Sequence, residues 1–322
     1  MFYFARRLLH SILVLVGVSV LSFLFLDLAP GEFFSDMRLN PQISPETIAE
    51  LRSQYGLDKP LFIRYGVWVR SVAKGEWGYS FAYNLPVAQL IWARAGNTLE
   101  LTVSAAILAW LIAIPAGMRA AEKHGGTVDR FAAAASTTLL AIPDLVITLG
   151  LLVFAVRTRW LPVGGMASLD AASFECMERL KDTATHFVLP VVALVLATIP
   201  VFFRHVRAAM VEALASTSVL AARAHGISRN RILFHYALRT AANPLISLFG
   251  LSIATLLSDS LLVEIVMGWP GLGPMLLEAI LSRDLYVVIG AVMLSTVFLV
   301  AGNLIADVLL YWSDPRIRHA TT

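Results

Sequence analysis

Charge-free apolar runs recur along this chain at one characteristic length. Residues 101–118, 285–306 and most of 8–28 contain no Asp, Glu, Lys or Arg. Each run is close to the ~20 residues that a helix needs to cross the hydrocarbon of a bilayer. Three more, 131–156, 186–203 and 244–263, are equally apolar apart from Asp144, His186 and Asp259. The pattern predicts an all-α polytopic membrane protein with six crossings, and an even number puts both termini on one side. Composition agrees, since 58% of the 322 residues are apolar against roughly 45–50% in soluble domains.

Lys and Arg in the connecting segments set the orientation, because they are retained on the cytoplasmic side. With both termini inside, the inner segments carry Arg6, Arg7, Arg119, Lys123, Arg130, Arg204, Arg207, Arg223, Arg229, Arg231, Arg239, Arg316 and Arg318. The outer segments, 29–97, 157–185 and 264–285, hold the remainder at roughly half the density. The net charge of +3 thus reflects topology rather than nucleic-acid binding. The opening run follows a basic flank as a signal peptide does, but it is too long and "DLAPGEFF" offers no small-x-small cleavage site, so it reads as a retained first span. The lone cysteine, Cys176, leaves no internal disulfide or Cys-rich metal site.

The first outer loop, 29–97, carries helix signals of its own. "SPETIAELRSQYG" supplies Ser44 as N-cap, Pro45 at the first helical position and Gly56 as a stop. From Asp58 to Gly75 the scheme repeats, with Leu61, Tyr65, Trp68 and Val72 at helical spacing. These two amphipathic helices either lie on the membrane surface or dock a partner. Before the last span, Gly268, Pro270, Gly271 and Gly273 predict a tight turn into a short helix at the outer interface, where Trp269 suits the depth.

Most catalytic signatures are missing. There is no GxxxxGK[ST] loop for nucleotide phosphates and no HExxH, GxSxG or paired CxxC. Intramembrane ionisable groups then become the sites to weigh. Asp144, Asp259 and Glu264 are the candidate translocation-path groups, Glu264 and Asp27 lying near enough to the outer surface to be solvated. Asp144 and Asp259 serve either a polar path or hydrogen bonds between helices, and Asp307 the latter.

The longest basic interval, "AARAHGISRNRILFHYALRTAANP" from Ala221 to Pro244, lies on the inner side. Arg223 and His225 suit the end of one helix, Gly226 a left-handed C′ position and Ser228 the N-cap of the next. A rigid basic elbow results, equally suited by charge alone to anionic lipid. Here the chain resembles the membrane subunit of binding-protein-dependent ABC importers, whose cytoplasmic signature reads EAA, three residues, Gly, nine residues, Ile, one residue, Leu-Pro. Ala221 and Ala222 fall on the two alanines, Gly226 on the glycine and Leu238 on the leucine, whereas Leu220, Tyr236 and Arg239 depart from Glu, Ile and Pro. The variant is similar to that of the peptide and nickel branch. "LRSQYGLDKPLFIRYGVWV", "GEWGYSF", "AIPDLVITLGLLVFA", "WLPVGG", "HFVLPVVALVL", "VEIVMGWPGLGPMLLEAILSRD" and "DPRIR" match further segments of that branch in order.

The resemblance implies a type I importer permease fold in a bacterial inner membrane. It implies a first span plus helical outer loop over 1–96, a permease core of five spans over 97–314 with the cytoplasmic coupling loop at 204–243, and a tail at 315–322. The implied partners are a sister permease, two cytoplasmic ATPases that bind ATP and Mg, and an outer solute-binding protein, with no cofactor or catalysis in this chain. The segment Ala221, Ala222, Arg223, Ala224, His225, Gly226, Ile227 and Ser228 resembles the helix that couples to an ATPase. The competing class is a self-sufficient secondary transporter or channel using Asp144 and Asp259, for which inverted repeats with matching broken helices are diagnostic; no convincing internal repeat is present.

Overall fold

The computed structural model describes residues 2–28, 46, 50, 53 and 58–313. Ten helices and one small hairpin follow one another among them. They are α1 (Phe2–Leu28), α2 (Leu61–Val72), β1 (Tyr79–Ser80) paired antiparallel with β2 (Leu85–Pro86), α3 (Val87–Glu122), α4 (Thr127–Ala141) and α5 (Asp144–Thr158). Next come α6 (Cys176–Leu214), α7 (Thr217–Ala224), α8 (Arg229–Met267), α9 (Leu272–Leu281) and α10 (Leu285–Ser313). Ser44, Pro45, Gly56 and the tail from 315 lie outside the described residues, as does the side chain of Asp27.

Among the described residues, five helices are long and apolar enough to cross a membrane: α1, α3, α6, α8 and α10. The sixth expected crossing, 131–156, is not one helix. Its two halves, α4 and α5, meet at 94°. Pro143 is the cause: its ring disfavours a helical conformation in the residue before it, and Ile142 is extended at φ −90° and ψ 121°. The other spans run well past their charge-free cores, because Lys, Arg and Glu near a helix end can reach the interface while the backbone stays helical. Thus α6 and α8 each extend for 39 residues.

Packing divides the chain into two compact units, Met1–Asn97 with Pro270–Val300, and Thr98–Trp269 with Ala301–Thr322. This grouping cuts across the sequential blocks read from the sequence. In the first unit the stripe Leu61, Tyr65, Trp68 and Val72 of α2 packs on Phe23 of α1 and Ile289 of α10. Phe23 meets the Tyr65 ring edge-on at 5.3 Å and the Trp68 ring at 5.1 Å, and Ser19 and Tyr65 share a 2.9 Å hydroxyl hydrogen bond. The outward side of α2 is mostly apolar, with Phe62 77% and Val67 57% exposed, and carries the exposed Arg70. The same unit holds the hairpin, which the sequence reading did not anticipate. Its Ser80 hydroxyl and Ala82 N–H both donate to one oxygen of the buried Asp284, at 2.7 and 3.0 Å. Tyr83 donates to Glu278; burial, then that carboxylate beside it, pushes the Tyr83 phenol above its ordinary range.

The second unit is built on small residues. Ala105, Ala109 and Ala113 of α3 are completely buried at four-residue spacing, the pattern that lets helix backbones approach in lipid. Gly117 continues the row. A Cβ built there would stand 2.6 Å from the Val206 Cγ1 and 3.1 Å from the Arg207 backbone nitrogen of α6, so only glycine fits this crossing. Around it Trp110 stacks on Phe202 at 4.7 Å. Overpacking a well-filled site costs about 1–3 kcal/mol, so Gly117→Ala should lower the thermal midpoint in detergent. Adding Val206→Ala should recover part of the loss; an unchanged midpoint in Gly117→Ala would show that α3 and α6 do not approach so closely.

Candidate functional site

The elbow between α6 and α8 is a short amphipathic helix closed on itself. One face of α7 buries Val219 and Ala222 among Met210, Ala213, Leu233 and Ala237. The other leaves Leu220, Ala221, Arg223 and Ala224 exposed. At its end the Gly226 N–H donates to the Arg223 carbonyl at 3.0 Å and the Ile227 N–H to the Ala222 carbonyl at 3.2 Å. These two bonds form a Schellman closure. It requires a left-handed residue at C′, and Gly226 has φ +69°. Ile227 then folds back against the same apolar cluster.

Ser228 occupies the N-cap position of α8, but its hydroxyl makes no capping bond. His225 is the C-cap of α7 rather than a member of its last turn. Past Arg231 the chain makes a wider, π-type turn over Ile232–Ala237 and continues without a break into the span. The second helix of the elbow is therefore the N-terminal end of α8 itself.

Charged contacts surround the elbow, and none was legible from spacing. The carboxylate of Asp129, in the first turn of α4, is buried. It accepts from Arg207 Nε at 2.5 Å and Nη2 at 2.8 Å and from the Gly125 N–H at 2.8 Å. His124 Nδ1 lies 3.3 Å from the same carboxylate. A second two-pronged pair joins Arg229 to Glu122, Nη2 to Oε2 being 2.6 Å. It lines a groove of about 370 Å³ shared with Pro115, Arg119, Lys123 and Phe234. The sequence signal for both pairs was only that acidic residues flank the short 123–126 turn.

Of the candidate path groups, Asp144 and Asp259 lie on helices that pack on each other, α5 and α8. Asp144 opens α5 directly after Pro143, half-buried. Asp259 is half-buried in α8. Glu264 is not solvated as expected but completely buried. Gly268 is left-handed at φ +62°, and the Trp269 N–H donates back to the Glu264 carbonyl at 2.9 Å. The indole consequently turns inward, fully buried against Phe187 at 5.5 Å, and is no interfacial anchor. The short helix expected after this turn is present as α9.

Comparison with known proteins extends over nearly the whole chain. Residues 113–319 match the family described as "Binding-protein-dependent transport system inner membrane component", and residues 1–102 match the N-terminal region described for such components. The chain is 35% identical over 319 residues to the oligopeptide transport system permease protein AppB of Bacillus subtilis, covering 98% of this chain and 99% of that protein. It is 35% identical over 335 residues to the dipeptide transport system permease protein DppB of Escherichia coli K12, covering 98% of each. A probable peptide ABC transporter permease protein of Sinorhizobium fredii is 33% identical over 318 residues, covering 98% of this chain and 99% of that protein. Among solved structures, an inward-facing form of the MetNI methionine ABC transporter matches with a TM-score of 0.54 at 18% identity, covering 68% of this chain and 96% of that one. At that identity the likeness carries the fold. Apolar spans, the elbow's closure and these matches along both parts of the sequence converge: the chain belongs to the binding-protein-dependent transport system inner membrane components, as a multi-pass subunit of the ABC transporter permease type.

Proposed function

We propose that this chain forms half of the membrane path of an ATP-driven importer for peptide-like solutes, and that the elbow Ala221–Ser228 seats in a groove of a cytoplasmic ATPase. The observation that carries the reading is the elbow itself. It is a rigid, self-closed turn that presents small and basic side chains at the end of two spans, suited to close approach by a partner. The peptide class rests on what the relatives are named for. The partners are a sister permease, two ATP-binding subunits that hold ATP and Mg, and an outer binding protein that delivers the solute. In this reading the chain has no ATPase site of its own. Family membership weighs against a self-sufficient transporter or channel, and uptake that needs ATP rather than an ion gradient separates the two.

Asp144 and Asp259 are the polar groups assigned to the path, together with the buried Glu264. Both termini are assigned to the cytoplasm. Cys176, exposed at the start of α6, reports on this directly. An impermeant maleimide should label it from outside in intact cells, and labelling confined to inverted vesicles would reverse the assigned topology.

The open apolar face of α2 is the surface assigned to the binding protein. Removing the whole helix would also remove Trp68 from a core, so point changes are the cleaner probe. Phe62→Glu with Val67→Glu should reduce binding-protein stimulation of ATP hydrolysis while leaving the thermal midpoint unchanged. Full stimulation would assign that face to lipid.

The elbow gives the most direct test. No heavy atom lies within 4 Å of a Cβ added at Gly226, so substitution there acts through backbone conformation alone. A left-handed conformation costs an ordinary L-residue about 1–2 kcal/mol, more for a β-branched one, whereas Asn visits it readily. Gly226→Val should therefore depress uptake and substrate-stimulated hydrolysis together, while Gly226→Asn stays close to wild type. Arg223→Glu, reversing charge in the last turn of α7, should weaken the same contact. Wild-type activity in Gly226→Val would leave the elbow as a lipid-facing basic surface.

A further inference from the structure

Both flanks of the elbow are tied to one short turn, that between α3 and α4. On the entry side Arg207, about two helical turns before the end of α6, grips Asp129, and the same carboxylate holds the Gly125 N–H of the turn. On the exit side Arg229, the first residue of α8, makes its two-pronged contact with Glu122, the last residue of α3. A two-pronged guanidinium–carboxylate pair fixes orientation as well as distance.

The second pair is placed against the local helix fields. Glu122 sits at the C-terminus of α3, where the partial negative charge of the backbone favours cations. Arg229 sits at the N-terminus of α8, where the partial positive charge favours anions. Neither charge helps its own helix. Their joint effect is to connect two helices whose ends are 107 residues apart in sequence. Asp129 differs, since it lies in the first turn of α4, where an anion suits the dipole.

We propose that Glu122 and Arg229 are positioning residues of energy coupling. They lock the α3–α4 turn to the elbow, so that displacement of the elbow reaches α3 and α4 as well as α6 and α8. Asp129 and Arg207 form the fixed anchor of this clamp on the other flank. The inference rests on the elbow being the ATPase contact, which Gly226→Val tests separately.

The test uses the full complex of both permeases, ATPases and binding protein in vesicles, with Glu122→Arg, Arg229→Glu and the double swap. Each single change sets like charges face to face. The double swap restores a pair and puts each charge at the helix end that favours it. The singles should keep their ATPases on co-purification and keep basal hydrolysis, but lose about fivefold or more in solute taken up per ATP, the lower end of typical coupling between sites. The swap should return that ratio to near wild type. Glu122→Gln, which breaks the pair without repulsion, keeps the test readable if a single reversal fails to accumulate. A role confined to stability would move the thermal midpoint and leave the uptake-to-hydrolysis ratio alone. Singles with a wild-type ratio overturn the proposal without touching the elbow reading. Loss of the ATPases from the singles overturns it in favour of direct docking by these charges, and a swap that regains its midpoint but not its ratio overturns it as well.

Discussion

Helix ends are the problem that an apolar chain must solve, because the last carbonyls of each helix lack intrahelical partners and little water is available to them. This protein solves it repeatedly by closing the helix on itself. The same pair of backward bonds appears at 71–76, 222–227, 264–269 and 279–284, each around a left-handed residue. Three of these closures also aim the residue that follows. Ile227 is turned into the apolar cluster beneath the elbow, Trp269 into the core beside Phe187, and Asp284 under the hairpin, where it gathers Ser80 and Ala82. The turn after α8 and the elbow after α7 are thus products of one backbone device.

Charge is used sparingly and mostly at the elbow. Sealing Asp129 from water is tolerable because Arg207 and the Gly125 N–H satisfy its carboxylate; removing one partner of such a buried pair costs about 3–5 kcal/mol, whereas the intact pair adds little net stability. The arrangement is therefore better understood as fixing geometry than as holding the fold together. Glu122 and Arg229 form an exposed pair, which adds little stability; they oppose their own helix dipoles yet meet in two contacts. The α3–α4 turn is held there against α6 and against the first residue of α8.

Between the helices, cohesion comes from close approach. Lipid is as apolar as a leucine side chain, so a larger side chain at the contact gains little and keeps the backbones apart. The Ala105, Ala109, Ala113 and Gly117 row lets α3 lie against α6, and bulk is reserved for Trp110, Phe202 and Trp269. Outward positions carry the remaining apolar surface. Leu13 and Phe25 of α1, 60% and 64% exposed, suit a bilayer as solvent.

Much of this was written in local pattern. Charge-free runs of spanning length located the membrane helices, and glycine after a basic helix end located the elbow's closure, since both depend on residues within a few positions of one another. Pro143 announced a disturbance but not a bend of 94°, because the angle is set by what α4 and α5 pack against. Contacts across the chain were invisible to spacing. Glu122 meets Arg229 across 107 residues, Arg207 meets Asp129 across 78, and Ser80 meets Asp284 across 204. Glu264 and Trp269 likewise read as surface residues but are completely buried. A sequence determines which segments enter lipid and how each helix ends; which charges face one another is decided only when the packed small residues bring the helix ends into reach.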